Sequence, residues 1–210
     1  MAEKELESPE EIPKLISFLS SLLQRVAEEN DLHCRSRPQK VSVFQGLMRP
    51  TISIQSYLER IFKYANCSPS CFIVTYIYLD RFVRRQPLLP INSFNVHRLL
   101  ITSVMVAAKF MDDVYYNNAY YAKIGGISTA EMNFLEVDLL FGLGFHLNVT
   151  PNTFHAYSSY LKREMMLLHP PLSLADHSSG LVMMGKSVKL PHSCFNEEET
   201  SHQQPHQLTA

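Results

Sequence analysis

The chain has 210 residues, of which 46% are apolar and 19% charged, and its formal net charge is −1. This composition is typical of one globular domain with extensions, and the near-zero charge gives no basic field that would favour nucleic acid or an anionic membrane as a partner. The four cysteines are too few and too scattered for a disulfide framework, so we expect packing thiols in a reducing compartment.

The chain begins with an acidic, polar stretch, whereas a signal peptide is basic and then apolar. Its longest mostly apolar run, residues 99–111, is shorter than the ~20 residues that cross a bilayer. We therefore expect residues 1–11 to be a disordered acidic lead, no membrane as partner, and a nuclear or cytoplasmic location, or both.

Residues 12–30 are predicted to form an amphipathic helix, because apolar side chains recur there at intervals of three and four residues. These side chains are Leu15, Ile16, Leu19, Leu22, Leu23 and Val26. Residues 31–42 contain basic residues and a proline without periodicity, which predicts a connector.

Five further helices are predicted in a domain at 43–168, and they span 52–65, 68–85, 93–113, 128–143 and 150–168. Three begin with a cap signal, namely Ser68 before a proline, Thr150 before a proline, and Ser128 three residues before a glutamate. The helix at 93–113 is apolar on nearly all sides and should lie at the centre. The pattern predicts an all-α domain with an additional N-terminal helix.

Residues 169–210 are rich in Pro, Ser, His and Gln. This composition predicts a disordered tail, and the irregular spacing of its histidines does not favour a metal site.

No motif indicates an enzyme. The Gly-x-Gly at 142–144 follows a helix, with no strand leading into a phosphate-binding turn. The adjacent carboxylates Asp112 and Asp113 are expected to face water. We therefore expect a non-catalytic protein without cofactor, metal or small-molecule ligand.

The segment 112–128 contains four tyrosines at 115, 116, 120 and 121 between two apolar helices. Tyrosine combines an apolar ring with a polar tip. Such a segment suits either a loop pinned to its own domain or a contact surface for a partner.

Lys109 and Glu136 are isolated charges in apolar surroundings on consecutive predicted helices. Lys109 alone is explained by the negative end of the helix dipole and by a stem that lies along apolar surface. Alternatively, the two charges pair with each other, or both face a partner.

Three segments resemble the cyclin box in order and spacing: "YIYLDRF" (76–82), "VMVAAKFMDD" (104–113) and "FLEVDLLFGLGFHLNVTP" (134–151). The tyrosine segment at 112–128 and the stretch at 51–72 resemble the PHO-type cyclins and the plant P-type, or U-type, cyclins. The resemblance covers about 43–165, which is one complete box.

This resemblance implies a single five-helix cyclin box that binds and activates a cyclin-dependent serine/threonine kinase, of A-type by similarity to plant members. The output would be cell-cycle control or nutrient (phosphate) signalling. By the same resemblance, Lys109 and Glu136 bond to backbone near the regulatory helix of the kinase. An apolar pocket for a branched aliphatic residue of that helix maps onto Val106, Phe110, Leu140 and Leu147.

The family motif at Asp80 and Arg81 implies a structural contact, because in most cyclins an arginine before the first box helix pairs with this aspartate. The aligned place here reads Pro50-Thr51, so the resemblance leaves the partner of Asp80 open, with Arg49 and Arg60 as the candidate substitutes. The chain has no second box, so substrate docking by a second box is not expected. Cyclin-type folds also serve transcription and scaffolding, which makes a helical adaptor the rival hypothesis.

Overall fold

A computed structural model describes residues 11–33 and 42–168, in which the chain forms seven α-helices and no strand. Their bounds are α1 Glu11–His33, α2 Ile54–Tyr64, α3 Ser70–Arg85, α4 Val96–Met111, α5 Asn118–Gly125, α6 Thr129–Gly142 and α7 Pro151–Leu168. The all-α prediction is confirmed. Helix α1 takes in residue 11 of the predicted acidic lead (1–11) and residues 31–33 of the predicted connector (31–42). The lead up to residue 10, residues 34–41 of the connector and the predicted tail at 169–210 lie outside the described residues.

Helix α4 is at the centre, as its apolar composition predicts. Every residue from Leu99 to Ala108 is buried, including Thr102 and Ser103. The helix packs against α2, α3, α5 and α6. Its two ends reach the surface: the first turn carries His97 and Arg98, and the last turn carries Lys109 and Phe110.

Helix α1 packs on α2 and α7, and its predicted apolar face is buried. Its C-terminal end is also held by polar contacts. The Asp31 carboxylate accepts hydrogen bonds from the backbone N–H (3.1 Å) and hydroxyl (2.6 Å) of Ser93 and pairs with Arg49. The amide of Asn30 donates to the carbonyl of Ile91 at 2.8 Å. The N-terminal helix therefore shares the core of the domain.

Two predicted helix caps are confirmed. The Ser128 hydroxyl accepts from the backbone N–H of Glu131 at 3.1 Å, and the Thr150 hydroxyl accepts from that of Thr153 at 3.2 Å. These bonds satisfy N–H groups that have no partner within the helix. They set the first turns of α6 and α7.

The predicted start of α3 is wrong. The helix begins at Ser70, and the Ser68 hydroxyl lies 3.4 Å from the sulfur of Cys71. The carboxylate of Asp112, expected to face water, instead accepts from the backbone N–H of Ser68 at 2.9 Å. A negative charge is favourable there because the N-terminal end of a helix is partially positive.

Helix α5 lies inside the segment at 112–128, for which the sequence predicts a loop pinned to its own domain or a contact surface. Its ends follow ordinary capping rules: the Asn117 side chain accepts from the backbone N–H of Tyr120 at 3.0 Å, and Gly126 ends the helix with φ of 71°. Eight residues are too few to show helical periodicity, so the sequence pattern missed the element.

Within residues 11–33 and 42–168, no helix has the length and apolarity of a membrane span. In the same residues, no three His, Cys, Asp or Glu side chains lie together as metal ligands, and Cys67 and Cys71 are free thiols.

Candidate functional site: a docking surface on helices α4 and α6

Lys109 and Glu136 form a salt bridge at the surface where α4 and α6 pack. The ammonium nitrogen of Lys109 lies 2.7 Å from Oε1 of Glu136, and the two side chains are 26% and 20% exposed. Of the interpretations offered by the sequence, the structure therefore supports pairing between the two charges, and this pairing needs no partner protein. Partial burial makes such a pair stronger than a fully exposed one.

A third residue, Asn118 at the start of α5, completes the arrangement. Its side-chain oxygen accepts from Lys109, and its amide nitrogen donates to Oε2 of Glu136 at 2.6 Å and to Oδ1 of Asn133 at 2.8 Å. We call Lys109, Glu136, Asn118 and Asn133 the charge network. Asn118 carries no signal in the sequence pattern, because α5 has only eight residues and shows no helical periodicity.

The charge network keeps bonding capacity for a partner. An ammonium group has three donors, and Lys109 uses two of them within the chain. Each carboxylate oxygen of Glu136 accepts one hydrogen bond and can accept another. The network can therefore offer one donor and one or more acceptors, which is what a backbone carbonyl and a backbone N–H require.

The four pocket residues implied by the resemblance differ in accessibility. Phe110 is 48% exposed, and Leu140 and Leu147 are half-buried. Val106 is only 3% exposed, so it packs beneath the surface in the folded chain. Three of the four side chains can thus meet a partner directly.

Helix α6 also presents an apolar face that sequence analysis did not single out. Phe134, Val137 and Phe141 are 67%, 49% and 68% exposed, and their spacing places them along one side of the helix. We call them the α6 ridge. The inward side is also apolar, through Leu135 and Leu139. A helix that is apolar on two opposite sides is the sequence feature that indicates this exposed face.

Large apolar side chains on one exposed face mark interaction surfaces more often than chance. On α6 the ridge adjoins Leu140, which lies three positions after Val137 and four after Glu136, because residues three and four positions apart are neighbours on a helix surface. The ridge therefore extends the surface formed by the charge network and the pocket.

The loop after α6 continues this surface and carries Leu147. Gly144 and Phe145 both have left-handed φ of 59°, and the Phe145 ring contacts Phe141 at 5.2 Å between centroids. The backbone N–H of Phe145 donates to the carbonyl of Leu140 at 2.9 Å. Left-handed geometry is unusual for phenylalanine and marks a constrained backbone.

The motif in α3 holds this loop in place. The Tyr78 hydroxyl donates to the carbonyl of Leu147 at 2.8 Å. The Arg81 guanidinium donates to the carbonyls of His146 (2.9 Å) and Asn148 (3.0 Å). Arg81 therefore supports the position of Leu147 through the backbone on both of its sides.

Asp80 has partners that were not foreseen. Its buried carboxylate pairs with Arg84 at 2.7 Å, one turn along the same helix, and accepts from the Tyr157 hydroxyl of α7. The expectation of Arg49 or Arg60 is wrong: the first pairs with Asp31, and the second donates to the carbonyl of Lys123. Spacing of four residues on a helix places Arg84 within direct reach.

The tyrosine segment is mostly pinned to its own domain. Tyr121 is fully buried, which raises the pKa of its hydroxyl, and the Tyr120 hydroxyl donates to the carbonyl of Tyr64 at 2.9 Å. The Tyr116 ring stacks on Tyr120 with 3.9 Å between centroids. Val114, Tyr115 and Tyr116 are 80%, 54% and 39% exposed, so the stretch just before α5 is open to a partner.

Comparison with known proteins gives a consistent result. Residues 13–147 match the cyclin family model; the match begins within α1, upstream of the predicted start of the box at 43. The chain is 69% identical to Cyclin-U4-1 of Arabidopsis thaliana over 205 residues, which is 97% of this chain and 96% of that protein. It is 55% identical to Cyclin-U4-3 of Arabidopsis thaliana over 211 residues (99% and 94%) and 59% identical to Cyclin-P4-1 of Oryza sativa subsp. japonica over 170 residues (79% and 80%).

Proposed function

Because the chain belongs to the cyclin family, and within it to the plant P-type (U-type) cyclins, we propose that it binds a cyclin-dependent kinase through α4 and α6 and activates it. Membership in this family assigns the chain a regulatory role, and the proposal includes that the chain has no catalysis of its own. The observation that supports the proposed surface is the Lys109–Glu136 pair, set beside exposed apolar side chains of α6.

The two parts of the surface would contribute differently. The accessible pocket residues and the α6 ridge supply apolar area whose removal from water favours association. The charge network supplies charge-assisted hydrogen bonds, which depend on direction and therefore fix the orientation of the kinase. Neither the apolar area nor the charge network alone would give both binding affinity and a fixed orientation of the kinase.

Activation follows from a population shift. In an inactive kinase the regulatory helix is turned away, so its glutamate cannot pair with the lysine that binds ATP. A partner that binds only the turned-in state shifts the equilibrium toward that state by its differential affinity. A rigid surface is suited to this role because it does not adapt to the inactive arrangement.

We extend the proposal to an A-type cyclin-dependent kinase as the partner and to the nucleus, the cytoplasm or both as the location. The output would be cell-cycle control or nutrient (phosphate) signalling. The support for these finer points is the resemblance to plant members alone.

The proposal is tested with the purified chain and a plant A-type cyclin-dependent kinase. We expect Lys109→Ala combined with Glu136→Ala to raise the Kd about tenfold or more, because each lost charge-assisted hydrogen bond is worth about 1.5–3 kcal/mol. Phosphorylation of histone by the complex should fall in parallel at subsaturating concentrations of the chain.

A matched control is the salt bridge between Arg98 and Glu131. It joins the same two helices at the same distance of 2.7 Å, with side chains 26% and 34% exposed. The Arg98→Ala, Glu131→Ala variant should bind the kinase as wild type does. Unchanged binding and phosphorylation in the Lys109/Glu136 variant would refute the proposed surface, and binding without any gain in phosphorylation would favour an adaptor.

A further inference from the structure

We infer that Asn118 is a positioning residue that sets the Lys109–Glu136 pair in the geometry a kinase contacts. The inference rests on the proposed function, since it concerns the same surface. Asn118 bonds both members of the pair, and it does so from a third helix, α5.

The orientation of the Asn118 amide is determined by its neighbours. Its oxygen faces the ammonium of Lys109, which can only donate. Its nitrogen faces the carboxylate of Glu136, which can only accept, and its second hydrogen is directed to Oδ1 of Asn133. A flipped amide would place donor against donor and acceptor against acceptor, so only one arrangement satisfies all four groups.

The two side chains closest to asparagine in shape cannot fill this place. Aspartate has the same shape but cannot donate to Glu136, and its charge would repel the carboxylate there. Leucine has nearly the same shape but neither donates nor accepts. The position therefore requires one donor group and one acceptor group on a short side chain.

The position of Asn118 at the start of a packed helix restrains the charge network. Asn118 is the first residue of α5, directly after the N-cap Asn117. Helix α5 packs on both α4 and α6, and Tyr121 within it is fully buried. The long side chains of Lys109 and Glu136 are thus restrained before a partner arrives, so less rotamer freedom is lost on binding.

The first test compares Asn118→Asp with Asn117→Asp. Both variants add one negative charge at adjacent positions, but Asn117 is exposed and aspartate is an equally good N-cap. With the plant A-type kinase, we expect Asn118→Asp to raise the Kd about tenfold or more and Asn117→Asp to leave it within about twofold.

The second test needs no kinase. Asn118→Asp and Glu136→Gln should each lower the Tm, whereas the double variant should recover most of the loss. In the double variant the amide and the carboxylate exchange places, so donor again faces acceptor and the net charge is unchanged. A structural role at a single residue would give additive changes, so recovery is the signature of direct coupling.

Three outcomes are distinguishable. Coupled Tm values together with a selective binding defect in Asn118→Asp support the inference. Additive Tm values overturn it, as does a binding defect in the Lys109/Glu136 variant without one in Asn118→Asp. If the Lys109/Glu136 variant itself binds normally, the proposed function fails and the inference fails with it.

Discussion

The hydroxyl of Tyr157 on α7 donates a hydrogen bond to the carboxylate of Asp80 on α3, across 77 positions of the chain. Asp80 is fully buried, and a buried charge is tolerated only where donors surround it. This contact and the Arg84 guanidinium supply such donors. The bond ties the last described helix to the middle of the domain.

Tyr157→Phe should therefore lower the free energy of unfolding by about 1–3 kcal/mol, because a buried carboxylate loses a donor without gaining water. Urea denaturation followed by circular dichroism measures the change. Tyr115→Phe is the control, since that side chain is 54% exposed and its loss should change stability by less than about 0.5 kcal/mol. Equal stability of the two variants would contradict the role given to the Tyr157 hydroxyl.

Gly142→Ala should be destabilising although Gly142 is helical. Alanine is favoured over glycine in a helix by about 1 kcal/mol, but a Cβ at this position would lie 2.3 Å from Cε2 of the buried Phe82 ring. Overpacking of this kind costs about 1–3 kcal/mol, so the clash should outweigh the propensity. Thermal unfolding gives the sign.

The clash has its own control in Phe82→Leu, which removes the ring that Gly142 contacts. The double variant Gly142→Ala, Phe82→Leu should be more stable than the sum of the single changes predicts. If the stability changes of the two single variants simply add, the destabilisation by Gly142→Ala does not come from a clash with the Phe82 ring.

Arg81→Ala should weaken kinase binding without removing a kinase contact. Arg81 bonds the carbonyls on either side of Leu147, so its loss frees the loop that carries this pocket residue. We expect a rise in Kd of about threefold to tenfold, consistent with the loss of about 1 kcal/mol of loop order. Fluorescence anisotropy with labelled kinase would measure it.

Arg85→Ala is the matched control for the loop. Arg85 lies one turn further along α3, and its guanidinium contacts Nδ1 of the His146 ring at 3.1 Å, whereas the backbone carbonyls of the loop are bonded by Arg81. Its removal should leave the Kd near that of wild type. Equal losses in both variants would indicate a general effect of positive charge.

Substitutions in the α6 ridge should lower kinase affinity and leave stability nearly unchanged, whereas substitutions on the inward side of α6 should lower stability. Phe134→Ala removes a side chain that is 67% exposed, so stability should change by less than about 0.5 kcal/mol while kinase affinity falls. Leu135→Ala removes a fully buried side chain and should cost about 2–5 kcal/mol of stability. Unchanged affinity in Phe134→Ala would exclude that part of the ridge from the interface.

His97 should make stability depend on pH. Burial, with Arg98 nearby, lowers the pKa of His97 below its ordinary value, and its Nε2 donates to the carbonyl of Ile52 at 3.0 Å. The unfolded chain takes up this proton near pH 6.5, whereas the folded chain does so only at lower pH. Stability is therefore complete above about pH 6.5 and decreases as the pH falls toward the folded-state pKa.

Urea denaturation at pH 7.5 and pH 5.5 tests this dependence. The decrease should be smaller in His97→Gln, whose side chain can still donate to Ile52 but does not titrate. An identical decrease in both proteins would assign the effect to other groups.

Much of the fold could be predicted from the sequence because its signals are local. The apolar spacing in α1, the uniformly apolar α4 and the caps at Ser128 and Thr150 each depend on residues a few positions apart. The family motifs are also contiguous, so they identified the cyclin box and the two charges at positions 109 and 136.

The remaining features depend on residues that are distant in the chain. Asp80 meets Tyr157 only after α7 has packed on α3, and the pairing of Asp31 with Arg49 requires α1 to lie on the domain. Neither contact leaves a periodic signal, because each uses a single side chain from each element.

The sequence by itself determined that the chain is an all-α cyclin with charges at positions 109 and 136. Only the tertiary structure decided that these charges pair with each other, that Asn118 holds both, and that Val106 lies beneath the surface. The physical reason is that helix formation and family motifs are encoded by near neighbours, whereas hydrogen-bond partners and burial are set by how separate helices pack.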